Sequence, residues 1–202
     1  NLNCHAPITT IPFGINIENY NSKKIKQKNK ICFFHLGAMD WKPNLEAVGW
    51  LIKEIWPIIH KKIPNAELHL AGKNMPDWLV DEKTINVYNH RHVESAISFM
   101  NSYDVMLVPL LSAGGIRVKI IEGMALGKTI ISTTIGAEGL SFTENENILI
   151  ANNPKEFAKK AMDLMEEPES INKIGINARK HVTEIYDQNK ITKKLIEFCE
   201  KL

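Results

Sequence analysis

The sequence predicts an α/β fold: one doubly wound sheet of six parallel strands with helices on both faces. Three observations carry this. Short apolar runs closed by glycine or proline alternate with longer stretches of helical spacing, the pattern of β-α-β units. The first of them, Ile31-Cys-Phe-Phe-His-Leu36, is a short apolar run ending in Gly37, as strands buried on both faces are. The composition of the 202 residues, 44% hydrophobic and 24% charged, is that of a globular chain and excludes disorder, collagen and coiled coil.

Taken in order, residues 1–22 lack helical period and turn at Pro12-Phe13-Gly14. Lys23 to Lys30 holds five lysines in eight residues and reads as a solvated linker, with a membrane or phosphate contact as the alternative. Ile31–Leu36 is the first strand, closed by Gly37. Leu45, Val48, Leu51, Ile52, Ile55, Ile58 and Ile59 recur at helical spacing between Pro43 and Lys62, with Asn44 as the expected cap and Pro64 as the stop. Ala66–Ala71 and Ile85–Tyr88 are the second and third strands. Val93–Tyr103 is helical, Asp104–Pro109 the fourth strand, and Arg117–Leu126 a helix that Gly127 ends. Thr129–Thr133 and Asn147–Ile150 complete the sheet. Helices follow at Pro154–Glu166, Ser170–Tyr186 and Gln188–Lys201.

The net charge of +2, from 25 basic and 23 acidic residues, gives no footprint for nucleic acid. The longest apolar run, Val105 to Leu111, is far short of the ~20 residues that span a bilayer. Cys4, Cys32 and Cys199 are odd in number and widely spaced, which fits a reduced cytoplasmic protein rather than a disulfide or zinc framework.

In doubly wound sheets ligands bind at the carboxyl ends of the strands. That selects four loops: Leu36–Asn44, Gly72–Pro76, Tyr88–Val93 and Pro109–Arg117. The last is the most informative. It leaves a strand, passes Gly114-Gly115 and enters a helix, so the backbone can approach a ligand and free N–H groups face it. Arg117 and Lys119 place two cations where the helix dipole disfavours them, which an anionic ligand would explain. Glu122, three residues after Lys119, shares its helical face; it could accept from the vicinal hydroxyls of a ribose or pair with Lys119. No Walker loop and no G-x-G-x-x-G is present. His90 and His92 form an H-x-H pair with no third ligand in view, so no metal is expected. Trp50 and Trp56 read as packing residues, and Trp41 with Asp40 lies in a ligand-side loop.

From about Thr10 to Tyr186 the sequence resembles the C-terminal, Rossmann-like half of GT-B glycosyltransferases of the group 1 (GT4) family. Glu122-Gly-Met-Ala-Leu-Gly127 is similar to the second glutamate of that family's signature and its E-A-M-A-x-G tail. Lys128 to Thr133 and Gly136-Ala-Glu-Gly139 resemble the strand and loop that follow, and Ile11-Pro-Phe-Gly14 resembles the interdomain I-P-N-G segment. There are departures. The first signature glutamate falls on Gly114. The G-R-x-x-x-x-K pattern reads Gly37-Ala-Met-Asp-Trp-Lys42, without its arginine and with lysine one place early. Arg117 and Lys119 replace the usual glycine and proline.

The resemblance implies a retaining, metal-independent sugar transfer from a nucleotide-diphospho-sugar, with no cofactor. It implies that Glu122 binds ribose and that the amides of Gly114, Gly115, Ile116 and Val118 face the diphosphate. Gly37 and Lys42 would lie under the phosphates, and the loop carrying His90 near the base. Arg117 and Lys119 would supply the charge that stabilises the leaving diphosphate. Residues 1–22 would be the interdomain linker and 23–202 the donor-binding domain, the acceptor (a glycan or lipid-linked sugar) being held by a preceding domain. Such an enzyme would work in the cytoplasm, with peripheral contact to the inner face of the membrane. The alternatives are an epimerase-like GT-B enzyme and a nucleotide-binding module without catalysis; a receiver domain lacks its acidic pair.

Overall fold

The computed structural model describes residues 7–22, 30–81 and 83–201. Cys4 and most of the lysine-rich run lie outside the described residues. The strands are β1 (Cys32–Leu36), β2 (Glu67–Ala71), β3 (Val87–Asn89), β4 (Val105–Val108), β5 (Thr129–Ser132) and β6 (Leu149–Ile150). They form one sheet in the order β3-β2-β1-β4-β5-β6, every neighbouring pair parallel. This is the doubly wound sheet expected from the sequence. The strand order reverses between β1 and β4, and a crevice opens there at their carboxyl ends.

The pleat sends successive side chains to opposite faces. Phe33, Leu68, Leu70, Leu107 and Ile131 join a core with Leu51, Ile55, Trp56, Ile59 and Phe157. These come from the helical run α1 (Lys42–Trp50) to α2 (Trp56–Lys62) and from α7 (Pro154–Glu166). Phe34, Ala71, Met106, Val108 and Ile130 join a second core with Ile120, Ile121, Met124, Ala178 and Val182, from α5 (Val118–Ala125) and α8 (Glu169–Ile185).

Three local expectations are corrected. The stretch Pro43–Lys62 is not one uniform α-helix: Leu51–Ile55 is π-helical between α1 and α2. Pro57 in the first turn of α2 has no N–H for an α-type bond, and a widened turn accommodates this. Asn44 is not the cap. Trp41 holds that position, with Pro43 in the first turn, and Asn44 is buried inside α1. The helix expected at Val93–Tyr103 shortens to α4 (Ala96–Asn101), because Ser95 caps it by accepting from the Ser98 N–H.

Two helical turns carry no periodic signal in the sequence, α3 (Asp77–Val80) and α6 (Thr134–Ala137). The last helix, α9 (Gln188–Cys199), buries none of its residues. Gly127 closes α5 with φ of +67°, and α8 crosses directly over it at Gly175, whose Cβ position would overlap the Gly127 carbonyl.

The N-terminal segment is bonded to this frame. The Ile15 N–H donates to the Tyr186 carbonyl at 2.9 Å, and the Gln188 N–H donates to the Ile15 carbonyl at 2.9 Å. Among the described residues no helix is long and apolar enough to cross a membrane.

Candidate functional site

The loops after β1, β2 and β3 are laced together by their main chains. The Gly37 N–H donates to the Ala71 carbonyl, Met39 to Lys73, and Gly72 to Arg91, at 2.8–3.0 Å. Gly72 carries no side chain because a Cβ there would overlap the Gly37 carbonyl. A shallow cleft lies between the second and third of these loops, lined by Gly72, Asn74, Met75, Asp77, Val80, Arg91 and His92.

Across the crevice, the loop after β4 carries Gly114, Gly115 and Ile116, all exposed. No atom approaches within 4 Å of the place a Cβ would take on either glycine, and Gly115 has φ of +73°. The loop is tied to α1 by Ser112, whose hydroxyl donates to Glu46 at 3.0 Å. Arg117 occupies the N-cap of α5 without a side-chain cap bond. The Val118 N–H already donates to the Ile116 carbonyl at 3.1 Å.

Both cations of this loop are held by protein oxygens. Lys119 Nζ donates to the Leu36 carbonyl at 3.1 Å and to Asn44 Oδ1 at 2.7 Å. It thereby bridges the end of β1 to α1, and Asn44 Nδ2 donates onward to the Ala38 carbonyl. Burial of the ammonium lowers its pKa to about 7, although the residue as a whole is not fully enclosed. Arg117, only 4% exposed, donates through Nε to the Gly136 carbonyl at 3.0 Å and through Nη2 to the Glu138 carbonyl. Its buried Nη1 has no hydrogen-bond partner. Beneath them His35, fully buried on β1, must donate from Nδ1 to the Leu107 carbonyl at 2.8 Å. Burial, and then the Lys119 charge, push its pKa down to about 3.

Glu122 is half-buried on the next turn of α5. Its Oε1 accepts a hydrogen bond from the Tyr20 hydroxyl at 2.8 Å. Burial, and then the carboxylate, raise the Tyr20 pKa to about 12, so the phenol remains a donor at any physiological pH.

Among the other sequence candidates, Gly37 packs its α-carbon against the Asn44 amide. Lys42 is exposed in the first turn of α1. His90 is exposed after β3, and its ring has protein partners. Nε2 lies 3.0 Å from His69 Nδ1 and 3.1 Å from the Tyr103 hydroxyl, and the ring meets Phe99 edge-on. Asp40 accepts from Asn74 Nδ2 at 2.8 Å, and Trp41 is 39% exposed beside it.

Sequence reasoning missed Tyr20, His35 and Asn44. Tyr20 reaches Glu122 across 102 residues, a separation that no local pattern encodes. His35 and Asn44 were visible only as strand and helix residues, because their partners sit on other elements.

The family model for group 1 glycosyl transferases matches residues 30–167. The chain belongs to this family. It is 26% identical over 166 residues to an uncharacterised 44.6 kDa protein in the cps region of Klebsiella pneumoniae, covering 77% of this chain and 42% of that protein. The chain thus spans less than half the length of this curated relative. Among solved structures, a TarM variant of S. aureus in complex with fondaparinux, alpha-GlcNAc-glycerol and UDP superposes with a TM-score of 0.77. That likeness is at 17% identity over 94% of this chain and 38% of that one. HepE of Anabaena in complex with UDP and glucose superposes with a TM-score of 0.72 at 16% identity, over 94% of this chain and 55% of that one. These likenesses show the fold that this member of the group 1 family shares with them.

Proposed function

We propose that the chain is the donor-binding half of a retaining glycosyltransferase that moves a sugar from a nucleotide-diphospho-sugar to a glycan or lipid-linked acceptor. The observation that carries this reading is the convergence at the carboxyl ends of β1 and β4. There an open glycine loop, the start of α5 and two anchored cations meet a carboxylate one turn further on. In this reading the base enters the cleft between Asn74 and Arg91, and the ribose hydroxyls bond to Glu122. The diphosphate lies over the amides of Gly114, Gly115 and Ile116.

Departure of a diphosphate is the hard step of such a transfer, and fixed donors aimed at the developing charge lower its barrier. Lys119 and Arg117 fit that role because main-chain oxygens hold both before any ligand arrives. No orientation then has to be found during the reaction. Lys119 keeps one N–H for the diphosphate beyond its two protein bonds. Arg117 adds positive potential from behind and fixes the Gly136–Glu138 loop. The cps-region relative supports a polysaccharide product, and the UDP complexes of TarM and HepE support a uridine diphosphate donor as the first to try.

A second reading rests on Gly114, which offers no carboxylate where the signature has one: a module that binds the nucleotide without transferring sugar.

The test is a binding titration of the protein with UDP, GDP, ADP and the matching nucleosides. One nucleoside diphosphate should bind, and Lys119→Met should weaken it about tenfold or more while changing nucleoside binding little. No binding of any diphosphate at millimolar concentration sinks the proposal. Sugar transfer to an added acceptor by the longer protein separates the first reading from the second.

A further inference from the structure

The parallel register of β1 and β2 sets Cys32 opposite Glu67 and Phe34 opposite His69. The period-two pleat then places Cys32, Glu67 and His69 on one face, at the amino-terminal part of the pair, away from the crevice. Their donor atoms lie within 4.8 Å of one another. Glu67 Oε2 is 3.5 Å from Cys32 Sγ and 3.5 Å from His69 Nε2.

Three features point to a ligand. His69 is only 8% exposed, and its buried Nε2 makes no hydrogen bond, although the carboxylate is beside it. The other ring nitrogen is held: Nδ1 lies 3.0 Å from His90 Nε2, with the ring stacked between Tyr88 and Tyr103 at centroid distances of 5.0 and 4.0 Å. In the tautomer that donates from Nδ1 to His90, Nε2 offers its lone pair, which is the form of histidine that ligates metal. Glu67 is likewise oriented, since Lys30 Nζ holds Oε1 at 2.7 Å and leaves Oε2 towards the other two.

The two separations from the shared Glu67 oxygen match a tetrahedral cation. With Zn–S of ~2.3 Å, Zn–N of ~2.0–2.1 Å and Zn–O of ~2.0 Å, tetrahedral angles put sulfur about 3.5 Å and nitrogen about 3.3 Å from the shared oxygen.

We propose that Cys32, Glu67 and His69 form a binding site for a zinc-like divalent cation, with water as the fourth ligand. The thiol proton is lost to solvent on binding, and the cation clamps β1 to β2. Cys32 and Glu67 open their strands, at the end away from the crevice, while His69 leads through His90 towards the loop after β3; the role assigned to the cation is in stability and not in transfer. The mixed thiolate, imidazole and carboxylate set suits zinc and cobalt over magnesium or calcium. Sequence spacing hid it, because Cys32 and Glu67 are 35 residues apart.

The test uses the metal-stripped protein titrated with Zn²⁺ and with Co²⁺. One equivalent should bind, and the cobalt form should show thiolate-to-metal charge-transfer absorption together with tetrahedral d–d bands. Zinc should raise the melting temperature. Cys32→Ser, Glu67→Gln and His69→Gln should each weaken binding at least about tenfold. Cys199→Ser and His92→Ala should leave it intact. A cobalt spectrum without thiolate bands in the unaltered protein overturns the proposal, and that readout does not depend on any variant folding. So does binding that persists in the Cys32 and His69 variants, or that is lost with His92.

Discussion

Tyr20 and Glu122 show how a single hydrogen bond can set a binding carboxylate. With Oε1 occupied by the phenol, the group cannot swing freely, and Oε2 is left to face a ribose in the proposed complex. A hydrogen bond to a charged group contributes about 1.5–3 kcal/mol. Tyr20→Phe should therefore weaken nucleoside diphosphate binding by about tenfold or more, with a smaller loss for the 2′,3′-dideoxy analogue. Equal losses for the two ligands would remove Tyr20 from ribose recognition. Lys119 yields a second prediction. Its pKa of about 7 means that the ammonium fraction falls as pH rises above 7. Diphosphate affinity should decline between pH 7 and 8.5 by at most about tenfold per unit, and the decline should vanish in Lys119→Met. A decline of the same slope in that variant would assign the titration elsewhere. The residue types of this site were legible in the sequence, since two cations after a double glycine are unusual. Their protein partners were not, because the Leu36, Gly136 and Glu138 carbonyls reach them only through the fold.

At the scale of elements, strands were easier to read than turns. An apolar run buried on both faces, as in β4 and β5, has few other places to go, whereas the edge strand β3 buries none of its residues and was legible mainly from its place between turns. A four-residue helix such as α3 or α6 completes barely one turn and shows no period. The contact of α8 with the end of α5 likewise depends on a missing side chain. Gly175→Ala would drive a methyl group into the Gly127 carbonyl, so it should destabilise the protein by about 1–3 kcal/mol, as overpacking does. Gly49→Ala in α1 meets no atom within 4 Å and should instead be neutral or stabilise by up to about 1 kcal/mol. Urea midpoints of the two variants test the contrast; shifts of the same sign would contradict the packing argument.

For the molecule as a whole, the buried His35 ties stability to pH. Its pKa is about 3 in the fold against an ordinary 6.5, so between these values the unfolded chain binds the extra proton. Stability must therefore fall as pH drops below 6.5, by up to about 1.4 kcal/mol per unit from this residue. His35→Asn retains an amide donor for the Leu107 carbonyl and should flatten the slope of unfolding free energy between pH 6.5 and 4. An unchanged slope would show that His35 is not the group responsible.

The bond pattern around Ile15 has a mechanical consequence. Its N–H and carbonyl grip Tyr186 and Gln188 at a single residue, beside the start of α9. Tension between the N-terminal segment and α9 would peel these two bonds in turn, at low force, and leave the sheet unloaded. Five residues along the same strip is Tyr20. A tug on the strip would first draw Ile15 out of the core beside Tyr186 and would then reach the Glu122 carboxylate through Tyr20, so the lever that would carry force into the crevice is a thread of backbone rather than a rigid element.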